Sequence, residues 1–179
     1  LRAGRLSCPS CGGVLRSFAH SVIREVRELD GSSLLRPRRS ICRGCGRSHV
    51  LLPYSTLLRR RDSVEVIGAA LLARSEGRSI TATARELGRH RETVRGWLRA
   101  FSSRAEEIRA HCTRLVAALD PLADPIEPSG DAFSDALGAL GAAGRAAVLR
   151  FGPRPRWSAL SFLTGGALLC NTSLPFHSP

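Results

Sequence analysis

Two CxxC pairs, Cys8-Pro-Ser-Cys11 and Cys42-Arg-Gly-Cys45, constrain this chain more than any other feature. Each pair sets two thiols on one tight turn with glycine directly after the second thiol, and 30 residues separate the pairs. Four thiolates suit Zn2+, and a closed tetrahedral shell leaves no open position for a substrate water, so the expected site is structural. Two independent redox dithiols are the alternative, but no βαβ pattern surrounds either pair. The runs Leu15 to Val26 and Leu34 to Ile41 are β-compatible, and Asp30-Gly31 marks a reversal between them. Residues 1–53 are therefore expected to form a zinc ribbon, in which the metal takes the place of a core too small to fold alone. His49 follows Cys45 closely enough to stand in as a ligand, whereas His20 is expected on a strand surface. Cys112 and Cys170 are isolated and are expected to be buried as small apolar side chains.

Charge points to the partner. The chain has 179 residues and a formal net charge of +12, and all 27 of its basic residues are arginine. Residues 1–119 hold 23 arginines against 10 acidic residues, a net charge of +13, while residues 120–179 hold 4 against 5, a net charge of −1. A polyanion is thus expected to meet the first two thirds of the chain. In the ribbon, Arg36, Arg38, Arg39, Arg43 and Arg47 are expected to face phosphates. The stretch Trp157 to Cys170 is too short and too interrupted to span a bilayer, and no apolar signal core follows Arg2 and Arg5, so no membrane partner and a cytoplasmic location are expected. Methionine is absent, which leaves the position of the true N-terminus open by a few residues.

Residues 62–119 are patterned for helices. Val64, Ile67, Ala70, Leu71 and Ala73 form one apolar face that ends near Glu76-Gly77. Ser79 is placed to cap a second helix through Leu87, Gly88 to turn the chain, and a third helix is expected from near His90 through Phe101. Ala84, Gly88 and Val94 have the spacing of a helix-turn-helix: a small residue at the helix contact, a turn glycine, and an aliphatic core residue. Leu87, Trp97 and Leu98 complete the expected core, and a bundle with a merely solvated basic face is the competing reading. His90, Arg91, Glu92 and Arg95 occupy the outer face of the early third helix, where base edges are read, with Arg91 and Arg95 suited to guanine. Arg89, Thr93 and Arg99 are expected to meet phosphates of double-stranded DNA.

Asp120 to Gly130 holds three prolines and a glycine and reads as a linker. Residues 131–170 are expected to form a helical hairpin, packed on the preceding helix or on a second subunit of a homodimer, with 171–179 a loose tail. The fold class expected is α+β, mostly α: a zinc-ribbon β-hairpin module, a helix-turn-helix domain and a C-terminal helical segment.

Cys8-Pro-Ser-Cys11-Gly, Arg38-Arg39-Ser40-Ile41-Cys42-Arg43-Gly44-Cys45 and Ala84…Gly88…Thr93-Val94-Arg95-Gly96-Trp97-Leu98 resemble the zinc-ribbon plus helix-turn-helix head of bacterial transposases. The combination is similar to actinobacterial proteins of uncharacterised function associated with mobile elements. The resemblance covers about residues 8–119 and implies transposition or its regulation. In transposases such a head precedes an RNase H-like domain with three metal-binding carboxylates. Here 60 residues follow Leu119, and Asp120, Asp124, Glu127, Asp131 and Asp135 crowd into 16 positions, so no catalytic residues are assigned. The expectation is a non-enzymatic accessory protein, with a separate transposase or recombinase subunit as a further partner. A truncated or split transposase and a zinc-ribbon transcription adaptor are the alternatives.

Overall fold

A computed structural model of the chain describes residues 6–166 and 168. Expectations for Arg2, Arg5, Cys170 and the tail from Asn171 fall outside the described residues. The expected α+β class, mostly α, is what is found: five strands precede six helices among the described residues.

The ribbon contains β1 (Leu15–His20), β2 (Arg24–Glu28), β3 (Gly31–Leu35), β4 (Arg38–Cys42) and β5 (Ser48–Leu51). The reversal at Asp30-Gly31 closes the β2–β3 hairpin, in which Glu28 pairs with Gly31 and Arg24 with Leu35. Neither long run stays continuous, however. The chain breaks between β1 and β2 and again at Pro37, which cannot donate to a ladder and instead accepts from the Ser21 amide at 2.7 Å. β1 then pairs antiparallel with β4, with an irregularity between Ser17 and Ala19, and β4 pairs with β5. The strand β5 was not among the sequence expectations; its four residues carry too short an alternation to read.

The helical part begins at α1 (Val64–Ser75), whose N-cap Ser63 accepts from the Val66 amide. α2 (Ile80–Glu86) is capped by Ser79 through the Ala82 amide, and α3 (Arg91–Ser102) follows after a tight turn. In that turn Gly88 has φ +60°, and the Arg89 amide reaches back to the Ala84 carbonyl at 2.8 Å. This is the backbone closure that only a residue tolerant of left-handed geometry makes cheaply. Ala84, Val94, Trp97, Leu98 and Phe101 are buried with Ile67 and Leu71 of α1.

α4 (Ala105–Leu119), α5 (Ala132–Phe151) and α6 (Arg156–Leu163) extend this core. α5 packs along α4 and also touches α1 and α3, and α6 packs on α5 and α1. The C-terminal helices thus lie on the helix-turn-helix of their own chain. α6 has no side-chain cap of its own. Glu65 of α1 serves that end, accepting from the Ser158 amide at 3.2 Å and hydroxyl at 3.3 Å.

Glycine spacing in α5 reads as close packing, yet of Gly138, Gly141 and Gly144 it is Gly144 that lies against another helix, with the Arg156 Cγ 3.1 Å from where a Cβ would stand. The tightest approach is elsewhere. A Cβ on Gly68 would lie 2.1 Å from the Trp157 indole. Gly68→Ala is expected to cost ~2 kcal/mol or more, because a side chain cannot enter without displacing a buried ring. A thermal melt followed by tryptophan fluorescence checks this; an unchanged midpoint contradicts the packing of α6 on α1.

His111 on α4 is 3% exposed, and burial, with Arg114 nearby, holds its pKa below the ordinary histidine value of 6.5. The unfolded chain therefore takes up the proton first on acidification, so His111 contributes stability above about pH 6.5 that is lost as pH falls toward its folded-state pKa. Replacing His111 with leucine is expected to flatten the pH dependence of the unfolding midpoint between pH 7 and 5, and an identical slope in both proteins contradicts it.

Candidate functional site

The two cysteine turns are brought together from opposite ends of the ribbon. Cys8 and Cys11 precede β1, Cys42 ends β4, and Cys45 lies on the turn before β5. Antiparallel pairing of β1 and β4 places Leu15 opposite Cys42, which aligns the turns. All four Sγ atoms lie within 4.8 Å of one another, with Cys8 to Cys45 at 3.7 Å and Cys11 to Cys42 at 3.5 Å. Four sulfurs each about 2.3 Å from a central zinc would stand about 3.8 Å apart. The arrangement fits that ion in both donor chemistry and size.

Backbone amides finish the cradle. Ser10 donates to Cys8 Sγ at 3.4 Å and Gly44 to Cys42 Sγ at 3.3 Å, as thiolates require. The Gly13 backbone sits so close that a Cβ there would meet Cys42 Sγ at 3.0 Å. Desolvation opposes ionisation of Cys8, but the Ser10 and Cys11 amides and the Cys45 and Cys42 thiols bring it down to about 6. The Cys45 amide, working against desolvation and joined by Cys11 and the Gly44 amide, likewise lowers Cys42. Cys11 receives help from the Gly13 amide, yet the neighbouring Cys42 and Cys45 push it up to about 12. Like charges so closely packed ionise together only around a cation. His49 Nε2 lies 3.4 Å from Cys8 Sγ, in contact with the cluster and beside the four thiols.

Second comes the outer face of α3. Its N-terminus is capped by His90, whose ring Nδ1 accepts from the Glu92 amide at 3.3 Å. Arg91 and Arg99 are exposed, and Thr93 and Arg95 are half-buried. Arg95 is held by Glu92 through contacts of 2.7 and 2.9 Å. The inner face holds Val94, Trp97, Leu98 and Phe101 against α1. Residues 61–109 match the family model described as a homeodomain-like domain. No curated protein and no solved structure matches the chain significantly. The matched segment contains α1, α2 and α3, so the helix-turn-helix read from Ala84, Gly88 and Val94 is found in both geometry and family likeness, and DNA is the partner such a domain implies.

Arg89 departs from expectation. In place of facing a phosphate it turns inward, its side chain 11% exposed, with Nε donating to Asp62 Oδ1 at 2.6 Å and Nη2 to the Glu28 carbonyl at 2.9 Å. A buried carboxylate outcompetes solvent for the guanidinium. On the ribbon, Arg38, Arg43 and Arg47 are exposed and Arg39 half-buried; Arg47 donates to Ser10 Oγ and Arg39 to Ser48 Oγ. Sequence reasoning missed Asp62 and Arg27 altogether. A lone acid directly after Arg59-Arg60-Arg61 was the available signal. No helix among the described residues is long and apolar enough to cross a membrane.

Proposed function

We propose that the chain is a DNA reader that inserts α3 into the major groove, with Arg91 and Arg95 toward base edges and Thr93 and Arg99 toward phosphates. His90 sets the start of that helix by capping it. The ribbon, folded around zinc through Cys8, Cys11, Cys42 and Cys45, adds Arg38, Arg39, Arg43 and Arg47 as phosphate contacts. The observation that carries this reading is α3 itself: a capped helix with one face locked in the core and the other exposing arginine, within a homeodomain-like segment.

In this reading the protein performs no chemistry and serves as an accessory or regulatory component of a mobile element, beside a separate recombinase. What supports the finer role is the pairing of a four-cysteine module with this type of helix-turn-helix, and a reading frame for a recombinase next to its gene would strengthen it. Fluorescence anisotropy on a short duplex across a salt series tests the core of the proposal. The logarithm of the binding constant is expected to fall linearly with the logarithm of salt, with a slope steeper than about −3, as for several neutralised phosphates. Weak, salt-insensitive binding would move the protein to an adaptor that contacts other proteins.

A further inference from the structure

Asp62 lies at the junction of the ribbon and the helices, 3% exposed, with both carboxylate oxygens engaged. Oδ2 accepts from Arg27 of β2 at 2.6 Å, and Oδ1 from Arg89, the residue between the turn glycine and the cap of α3. Arg89 also donates to the Glu28 carbonyl at the end of β2 and to the Leu87 carbonyl before the turn. Backbone bonds reinforce the joint: the Arg27 amide donates to the Arg61 carbonyl at 2.8 Å and the Ser63 amide to the Arg27 carbonyl at 2.9 Å. One acid thus ties the β2–β3 hairpin directly to the turn that aims α3.

We infer that Asp62 is a positioning residue for DNA reading: it locks the orientation of α3 against the ribbon and withholds Arg89 from phosphate. This rests on the DNA-reading proposal above. Two consequences follow from charge and rigidity together. Without the carboxylate, Arg89 and Arg27 become available to any phosphate, so indiscriminate binding rises and its salt slope steepens by roughly one per released arginine. The helix is no longer held in register with the ribbon, so discrimination between sites falls.

Asp62→Asn keeps the shape and removes the charge. In the absence of DNA, limited trypsin digestion at Arg59 to Arg61 reads the joint, and cleavage is expected to accelerate at least tenfold. On DNA, affinity for random duplex should rise severalfold while the ratio of preferred to random binding drops about tenfold. Arg27→Gln, which opens only the ribbon side and leaves Arg89 paired, is the gentler companion should the asparagine variant misfold. It is expected to give intermediate cleavage and reduced discrimination with no rise in random binding. Unchanged cleavage in both variants overturns the joint. Faster cleavage with unchanged discrimination, or a parallel fall of preferred and random binding, overturns the positioning role. A wild-type chain that binds no duplex defeats the DNA-reading proposal itself, a result distinct from these because it needs no variant.

Discussion

Replacing Cys42 with serine is expected to abolish stoichiometric zinc binding and to unfold the ribbon while the helices persist. Cys42 is 2% exposed, and the ribbon's buried apolar cluster consists of Cys8, Leu15 and Cys42. Two of its three members are thus metal ligands, and burial of Leu15 there and of Val26 on β2, worth about 1.5–3 kcal/mol each, cannot hold five strands. A structural zinc site supplies an apparent ~10–16 kcal/mol, so its loss removes the main stabilising term of the module. The helical core from Leu57 to Leu168 contains none of the four ligands and should remain cooperative. Circular dichroism of the full chain should lose its β contribution and retain its helical signal, and a strong chelator should reproduce the effect in the wild type. One cooperative melt indifferent to chelator would contradict the metal-dependent ribbon.

Arg91→Ala is expected to lower affinity for the preferred site by about 1–3 kcal/mol, roughly 5- to 150-fold, and to relax preference at one base position. Arg91 is exposed on the first turn of α3 and has no ion-pair partner among the described residues. Arg95 differs, because its guanidinium must leave Glu92 before it can serve a base. Arg95→Ala should therefore cost less than Arg91→Ala, and Glu92→Ala should strengthen binding to duplex of any sequence. Quantitative binding to the preferred and random duplexes separates these effects. Equal losses on both duplexes in the Arg91 variant would mean that Arg91 meets a phosphate and reads nothing.

The local features were legible in the sequence, because their causes are local. A CxxC turn with its following glycine, a serine cap at Ser79 and a turn glycine at Gly88 each act within a few residues, and each lies where its spacing indicated. What escaped depends on partners far along the chain. Gly68 and Trp157 are 89 residues apart, and nothing in the local pattern of either announces that one must be bare to admit the other. Glu65 capping α6 is of the same kind. Arg89 read as a phosphate ligand because a basic residue beside a helix start usually faces solvent; its partner Asp62, 27 positions earlier, reverses that. The ribbon's two long runs are broken by Pro37 and by a ladder that returns to β1 from β4, a pairing of residues 18 to 27 positions apart.

The most direct test of the account is selection of the zinc-loaded full chain on a randomised duplex pool, repeated over a series of salt concentrations. Enrichment of one short motif, surviving at salt that removes bulk binding, is the expected result, since base contacts persist where phosphate contacts are screened. A pool that stays random at every salt would contradict a reading role for α3.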